Sequence, residues 1–479
     1  MAIKKGSEYI ESIRKRKIDI FFFGEKIENI IEHPNTRPVI YSVAKTYDLA
    51  HVEDYKDVMT AVRDDGEIIN RLVYIHKSKE DLYKRVQLAR LLSKELGTCN
   101  YRCTGSDALN AVYLTTYMID KENGTDYHER FLRFLDYVQK NDLAVTGALT
   151  DVKGSRALRP SEQPDPDMYV RVVEERDDGI IVRGAKIHQS GSYAAHEIIV
   201  LPTRAMRENE KEYAVAFAVS PDTEGVKFVL QFNSFEAKRA LCKDCSIELG
   251  IPKYGIRGTA MMILDDVFIP WDKVFLYGEY KYTRNLIEYF TLLHRMAGAP
   301  CKTGFADVVI GGAYLLTKHL EIERSPIIRD KLAEMVSKSE AAYGIAVAAA
   351  YEGEKTDAGT YLPNKILANV AKLEGSLGFV KILTMIAELT GGLSVTGPSE
   401  KDLKHPEIGK YLQKYLKTGK ASAEELLRIE KFLELWIAGP HYVGTLQGGG
   451  PPQTQKLSIS AYVNWEELEK NVKNLLSEE

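Results

Sequence analysis

Tyr169-Val170-Arg171-Val172-Val173-Glu174, then Asp177-Asp178-Gly179, then Ile180-Ile181-Val182-Arg183 is the stretch over which the chain changes its hydrophobic period. Apolar and polar residues alternate through the first run, as on a half-buried strand, and a second β-branched run follows the turn residues. Two such runs joined by Asp-Asp-Gly predict a hairpin, with Gly179 supplying the positive φ of the turn. Further strand-like runs follow at 198–201, 213–219, 226–230 and 260–269, separated by turn residues. Together they predict an antiparallel β domain.

On either side the period is helical. From Ser7 to Asp142 apolar residues recur every three or four positions, as in Leu88, Leu91, Leu92 and Leu96, which is the stripe of amphipathic helices. A Pro-rich passage from Pro160 to Pro166 precedes the hairpin. After Trp271 the helical stripe returns with Leu286, Phe290, Leu293 and Ala297, and later with Ile328, Leu332, Met335 and Val336. The expected class is therefore α+β. Residues 1–142 form an N-terminal helical domain, 143–280 a middle β domain, and 281–479 a C-terminal helical bundle.

The chain has 479 residues, 44% of them hydrophobic, and a formal net charge of -4. That is ample material for a buried core, and it offers no basic field to attract nucleic acid or an anionic membrane. Charged residues Glu8, Glu11, Arg14 and Lys15 follow Met1 closely, so no secretory signal is expected. No apolar run approaches the roughly 20 residues of a membrane span. These features predict a cytoplasmic protein. Its five cysteines are then expected to be reduced and to serve packing, metal binding or reactivity.

Cys99 and Cys103 stand four apart, so on a helix their sulfurs share a face one turn from each other. Two small buried hydrophobes satisfy the same pattern. In His294-Arg295-Met296-Ala297-Gly298-Ala299-Pro300-Cys301-Lys302 a helix is expected to break at Gly298 and Pro300, leaving an imidazole near a thiol. By itself this is also the pattern of a hydrogen-bonded core histidine. Together the two elements offer three thiols and one imidazole, a donor set suited to an iron–sulfur cluster or to zinc. Cys242 and Cys245 form a competing CxxC. With no second CxxC and no histidine in a finger-like position, a β-loop location without metal is expected for that pair.

Several blocks resemble one superfamily, which joins the 4-hydroxyphenylacetate 3-hydroxylases to the 4-hydroxybutyryl-CoA dehydratases. They are Phe22-Phe23-Gly24-Glu25-Lys26-Ile27 with His33-Pro34-Asn35-Thr36-Arg37-Pro38, the run Thr150-Asp151-Val152-Lys153-Gly154-Ser155-Arg156, the triplet His188-Gln189-Ser190, and Asp266-Val267-Phe268-Ile269-Pro270. They extend from about Tyr9 to Gly448-Gly449-Gly450-Pro451. The set Cys99, Cys103, His294 and Cys301 is similar to the cluster ligands of the dehydratase branch, which the hydroxylases lack. The resemblance thus implies a 4Fe-4S cluster on those residues. It also implies that Lys302 positions substrate or steadies negative charge, with an ordinary surface lysine as the plain alternative.

FAD is implied by the same resemblance, since no GxGxxG or P-loop follows a predicted strand. An acyl-CoA-dehydrogenase-like fold would hold it between the β domain and the C-terminal helices. Thr150, Lys153, Arg156, His188, Gln189 and Ser190 would line the flavin, while Gly391 and Gly392 would approach the cofactor of a neighbouring subunit in a homotetramer. A helix C-cap explains the glycine pair equally well.

The implied reaction is dehydration of a hydroxyacyl-CoA such as 4-hydroxybutyryl-CoA, with an isomerase of the vinylacetyl-CoA type as a variant. One-electron exchange with FAD acidifies the otherwise inert β C–H bond. A cluster iron bound by His294 acts on the leaving hydroxyl, and His294 or Ser190 completes the catalytic set together with Lys302. The chain departs from the family pattern at Thr259 and Gly444, where the family has acidic residues, at Gly298, where it has tyrosine, and at Ser190, where it has threonine. General acid/base groups each contribute a 10²- to 10⁴-fold rate factor, so these departures bear on the substrate more than on the cofactors. A reduced-flavin phenol monooxygenase and a non-catalytic flavin- or CoA-binding relative are the competing readings.

Overall fold

The structure is a computed structural model and describes residues 3–242, 244–255 and 257–476. Helices precede, flank and follow two main β-sheets, and two further sheets have two strands each. The larger sheet runs, in spatial order, Glu25–Lys26, Asp19–Phe22, Val226–Leu230, Thr259–Pro270, Gly179–Ser190, Arg171–Arg176. The smaller one runs Val274–Tyr277, Val215–Val219, Glu197–Val200, Val145–Ala148.

The sheets differ from the purely antiparallel expectation. Asp19–Phe22 pairs in parallel with Val226–Leu230, and Val145–Ala148 pairs in parallel with Glu197–Val200. The first of these strands comes from within the segment read as wholly helical. Its four residues, Asp-Ile-Phe-Phe, bury Ile20 and Phe22 between the sheet and the N-terminal helices, an alternation too short to stand out from the helical stripe around it.

The hairpin is present, with Arg176 opposite Gly179, so its two-residue turn is Asp177-Asp178. Gly179 is not among the positive-φ residues. It is needed for a different reason, because a Cβ there would lie 2.2 Å from the Ile269 carbonyl oxygen. Close approach of backbones, rather than turn chirality, fixes this glycine.

Four helices frame the functional region. Lys79–Leu96 starts on Ser78, whose hydroxyl accepts from the Asp81 amide at 3.0 Å, and stops at Gly97 in the left-handed region. Cys103–Asn123 follows after a six-residue loop. Thr283–His319 runs for 37 residues without interruption. Lys365–Leu389 starts on Asn364, whose side chain accepts from two amides.

The unbroken course of Thr283–His319 corrects the expected break at Gly298 and Pro300. Pro300 deprives the Met296 carbonyl of its helical donor, at a cost of about 3 kcal/mol. Leu292, Leu293, Met296 and Ala299 are nevertheless buried against Leu82, Val86, Ala346, Ala368 and Ala371 of three neighbouring helices. Burying side chains of that size contributes roughly 1.5–3 kcal/mol each, which outweighs one lost bond. Among the described residues no helix is long and apolar enough to cross a membrane.

Candidate active site

Along Thr283–His319 the positions His294, Gly298, Cys301 and Phe305 fall at helical spacing on one face. That face closes one side of a cavity of about 70 Å³, room for a handful of water-sized atoms. Cys99, Asn100 and Cys103 close another side, and Arg257, His441, Gly444 and Gly448 a third. Every proposed ligand position, Cys99, Cys103, His294 and Cys301, therefore lines one cavity, and Lys302 lines it too.

Cys99 and Cys103 do not share a helix as expected. Cys103 opens its helix, and Cys99 lies in the preceding loop, where Tyr101 takes a positive φ of 61°. Asn100 sets this turn, its side-chain oxygen accepting from the Arg102 and Cys103 amides at 2.9 Å each. The two sulfurs still meet. Accepting a hydrogen bond from Cys103 holds the Cys99 thiol below its ordinary range, while the same bond and burial push Cys103 well above it. The third free thiol, Cys301, accepts from the Ser93 hydroxyl at 3.2 Å.

His294 is oriented from behind. Its Nδ1 lies 2.8 Å from Asp107 Oδ2, and Asp107 Oδ1 takes the Arg85 guanidinium at 3.0 Å, with both Arg85 and Asp107 fully buried. Burial alone would raise the Asp107 carboxyl, but the Arg85 charge and the His294 hydrogen bond outweigh it and hold it below the carboxylate range. With Nδ1 engaged, Nε2 is the nitrogen left for the cavity, the arrangement in which a second partner fixes a ligating imidazole.

Lys302 is 7% exposed, and its ammonium donates to the Gly298 carbonyl at 3.0 Å. Lys372, fully buried on Lys365–Leu389, donates to the Ser376 hydroxyl. Burial lowers both, and each feels the other's charge or hydrogen bond. Arg257 donates to the Gly444 carbonyl at 2.6 Å and reaches Ser190 Oγ at 3.4 Å. Burial beside Arg257 pushes the His441 imidazole down to about 3, so it is neutral at physiological pH.

The donor types suit a cluster. Among the described residues no three His, Cys, Asp or Glu side chains converge tightly enough to hold a single ion. A mononuclear site needs all its donors within one bond length of a point. A cluster spreads them over several irons and needs a central space with donors on its walls, which is the disposition of these three thiols and one imidazole.

Most of the residues expected to line a flavin lie around one end of the ladder between Gly179–Ser190 and Thr259–Pro270, two interior strands of the larger sheet. Ser190 pairs with Thr259, their hydroxyls 3.4 Å apart, and the Ile187 amide donates to the Thr150 carbonyl at 2.8 Å. The 150–156 loop is pinned by the buried Asp151–Lys186 ion pair at 2.8 Å. Lys153 and His188 both take positive φ, at 75° and 60°; Arg156 and His188 are exposed and Gln189 buried. Gly391 and Gly392, at φ 60° and 88°, are exposed just beyond the Thr390 C-cap of Lys365–Leu389 and do not line the cavity.

Cys242 and Cys245 lie side by side, with Cα atoms 5.3 Å apart, in the turn after Ser234–Leu241. The turn itself makes this approach possible, since the Cys245 amide donates to the Cys242 carbonyl at 3.2 Å. Lys243 between them lies outside the described residues.

Sequence reading missed Asp107, Arg85, Arg257 and Lys372. A signal existed for three of them. Asp107 stands one helical turn after Cys103, Arg85 interrupts the apolar stripe of Leu82, Val86 and Leu88, and Lys372 lies on a small-residue face with Ala368, Ala371, Gly375 and Ser376.

Models of the 4-hydroxyphenylacetate 3-hydroxylase N-terminal and C-terminal domains match residues 5–276 and 283–477. The chain is 41% identical over 471 residues to the 4-hydroxybutyryl-CoA dehydratase/vinylacetyl-CoA-Delta-isomerase of Clostridium aminobutyricum, covering 95% of this chain and 96% of that one. The chain belongs to the 4-hydroxybutyryl-CoA dehydratase family. This is a family of hydro-lyases within the hydroxylase superfamily. An oxygen-tolerant archaeal 4-hydroxybutyryl-CoA dehydratase from N. maritimus superposes with a TM-score of 0.95 at 38% identity, covering 100% of this chain and 96% of that one. The oxygenase component of 4-hydroxyphenylacetate 3-monooxygenase, solved with FAD, is more distant. It has a TM-score of 0.86 and 26% identity over 99% of this chain and 98% of that one.

Proposed function

We propose that the protein is an FAD- and 4Fe-4S-dependent dehydratase of a hydroxyacyl-CoA, 4-hydroxybutyryl-CoA or a related thioester, with enoyl-CoA isomerase activity, working in the cytoplasm as a homotetramer. The observation that carries this reading is that Cys99, Cys103, His294 and Cys301, from three separate elements, line one cavity in a chain 41% identical to a dehydratase. The FAD-bound oxygenase neighbour supports the flavin, with Thr150, Lys153, Arg156, His188, Gln189 and Ser190 as its contacts and Gly391 and Gly392 facing that of an adjoining subunit.

Bound together, the two cofactors would supply one-electron exchange and a Lewis-acidic iron. The chain's own residues do the rest. His294 is held in a fixed tautomer by Asp107, so its Nε2 is available as a ligand or, when free of metal, as a proton acceptor. Lys302 and Arg257 put positive charge on the cavity wall, where a thioester oxygen acquiring negative charge is stabilised. Lys302 is buried and His294 and Arg257 are half-buried, which limits the access of bulk water and strengthens each interaction.

A turnover assay of anaerobically purified protein with a panel of hydroxyacyl-CoA thioesters tests the proposal. Enoyl-CoA formed from at least one of them is expected. Tight CoA binding without product from any member would assign the chain to a non-catalytic relative, and hydroxylation of a phenol by reduced flavin would assign it to the oxygenase branch.

A further inference from the structure

The chemistry proposed at the cavity uses three of the five cysteines and leaves Cys242 and Cys245 without a role. Neither of them lines the cavity. Their Cα atoms are 5.3 Å apart, inside the range of about 4.4–6.8 Å that a disulfide spans without backbone movement. Metal binding is the other use of a CxxC pair. Among the described residues no group of three or more His, Cys, Asp or Glu side chains is placed to hold an ion, so two thiolates here would lack the further donors that a zinc site needs.

The backbone holds the two residues at this spacing from both sides. Upstream, the helix Ser234–Leu241 starts on Asn233, whose side-chain oxygen accepts from the Phe235 amide at 2.9 Å, and Cys242 closes it, its amide donating to the Lys238 carbonyl at 2.9 Å. Downstream, the Ile247 and Glu248 amides donate to one Glu400 oxygen at 2.6 and 3.0 Å, and the Glu400 amide donates back to Glu248 Oε1 at 2.8 Å. The two thiols differ in access. Cys242 is half-buried beside the exposed Leu241, with Asp244 exposed in the same turn, whereas Cys245 is 7% exposed. One sulfur is open to attack from solvent, and the other is placed to resolve what forms on it, the asymmetry of a thiol–disulfide exchange pair. In a reducing compartment such a pair rests as a dithiol and its disulfide is transient.

We propose that Cys242 and Cys245 are a redox-active dithiol, a site of reversible oxidation by low-molecular-weight disulfides that is separate from the cavity. The Cys242 thiolate attacks one sulfur of a disulfide RSSR, forming a mixed disulfide and expelling one thiolate. Cys245 then attacks the Cys242 sulfur, closes the intramolecular S–S bond and expels the second thiolate. The two protons lost by the protein thiols are taken up by the two expelled thiolates, so one RSSR is reduced to two RSH as the protein pair is oxidised. Excess RSH runs the sequence backwards. The proposal stands independently of the acyl-CoA reading above.

The test is incubation of anaerobically purified, cofactor-replete protein in buffers of varied reduced-to-oxidised glutathione ratio, followed by alkylation of free thiols and mass spectrometry of the peptides that carry Cys242 and Cys245. The two residues are expected to pass together from alkylated to disulfide-linked as the buffer becomes more oxidising, and to return when reduced glutathione is restored. Cys245→Ser is expected to stop at a mixed disulfide of glutathione with Cys242. Cys242→Ser is expected to react at least about tenfold more slowly than the native chain, because its remaining thiol is buried. The titration of the native chain decides the matter whether or not the variants fold. Both thiols alkylated at every ratio, either one paired with a different cysteine, or zinc held by the pair in the purified protein overturns the proposal. So does a Cys242→Ser protein that reacts as fast as the native one.

Discussion

His294 Nδ1 and Asp107 Oδ2 are 2.8 Å apart, and the carboxylate has no solvent exposure. An imidazole held this way presents one nitrogen to the cavity in a fixed orientation, and removing such a partner commonly costs 10- to 100-fold in metal affinity or activity. Asp107→Asn should therefore lower iron retention and turnover by about that factor. It also leaves the Arg85 guanidinium buried without its counter-ion, a loss of about 3–5 kcal/mol, readable as a fall in the urea midpoint.

The same carboxylate gives a pH signature. Its folded pKa lies below the unfolded value, so its contribution to stability is complete above about pH 4 and is lost as pH falls through the lower folded value. Denaturation midpoints measured from pH 6 down to pH 3 should drop for the native chain. Asp107→Asn should start lower and lose less over that range.

Glu430 behaves oppositely. It is 1% exposed with one oxygen lacking a partner, and burial pushes it up to about 7. Its neutral form is at home in the fold, so stability is full below about pH 4.3 and declines as pH rises through about 7. Glu430→Gln should stabilise the protein at pH 8 by on the order of 2–4 kcal/mol and change it little at pH 4. Thermal melts at the two pH values decide this.

Gly105 ties Val145–Ala148, the edge strand of the smaller sheet, to the helix Cys103–Asn123. A Cβ there would lie 2.0 Å from the Val145 carbonyl oxygen, a clash with backbone that no rotamer relieves. Gly105→Ala should cost about 1–3 kcal/mol or more despite the better helix propensity of alanine. It should also disturb Cys103 two residues away, lowering iron content in parallel with stability.

Gly444→Glu tests the local charge balance from the other side. The position faces the Arg257 guanidinium at close range, and a side chain's flexible end yields more easily than backbone. A carboxylate placed there should pair with Arg257, remove its charge from the thioester oxygen and change hydroxyacyl-CoA turnover by about tenfold. Unchanged turnover would show that the Arg257 charge does not act on the acyl group.

What the sequence made legible followed the strength of local signals. The Tyr169–Arg183 hairpin, the Val226–Leu230 strand and the long helical stripes were legible because alternation and the 3.6-residue period are properties of neighbouring residues. Asp19–Phe22 was hidden because four residues carry too little pattern, and the continuity through Pro300 because helix–helix packing overrides a local penalty. At the site, Cys99, Cys103, His294, Cys301 and Lys302 are legible from their residue types and share one cavity. Arg257 was not, since its role depends on Gly444 lying 187 positions away, and Lys372 was not, since a lone lysine in an alanine-rich helix reads as solvated until the packing places it inside.

Iron and acid-labile sulfide analysis of anaerobically purified protein, run beside Cys99→Ala and Cys301→Ala, tests the central claim most directly. The account predicts about four irons and four sulfides per chain, a broad charge-transfer absorption, and loss of most of both in each variant. Protein that is folded, binds FAD and contains no iron, or variants that retain the full complement, would contradict it.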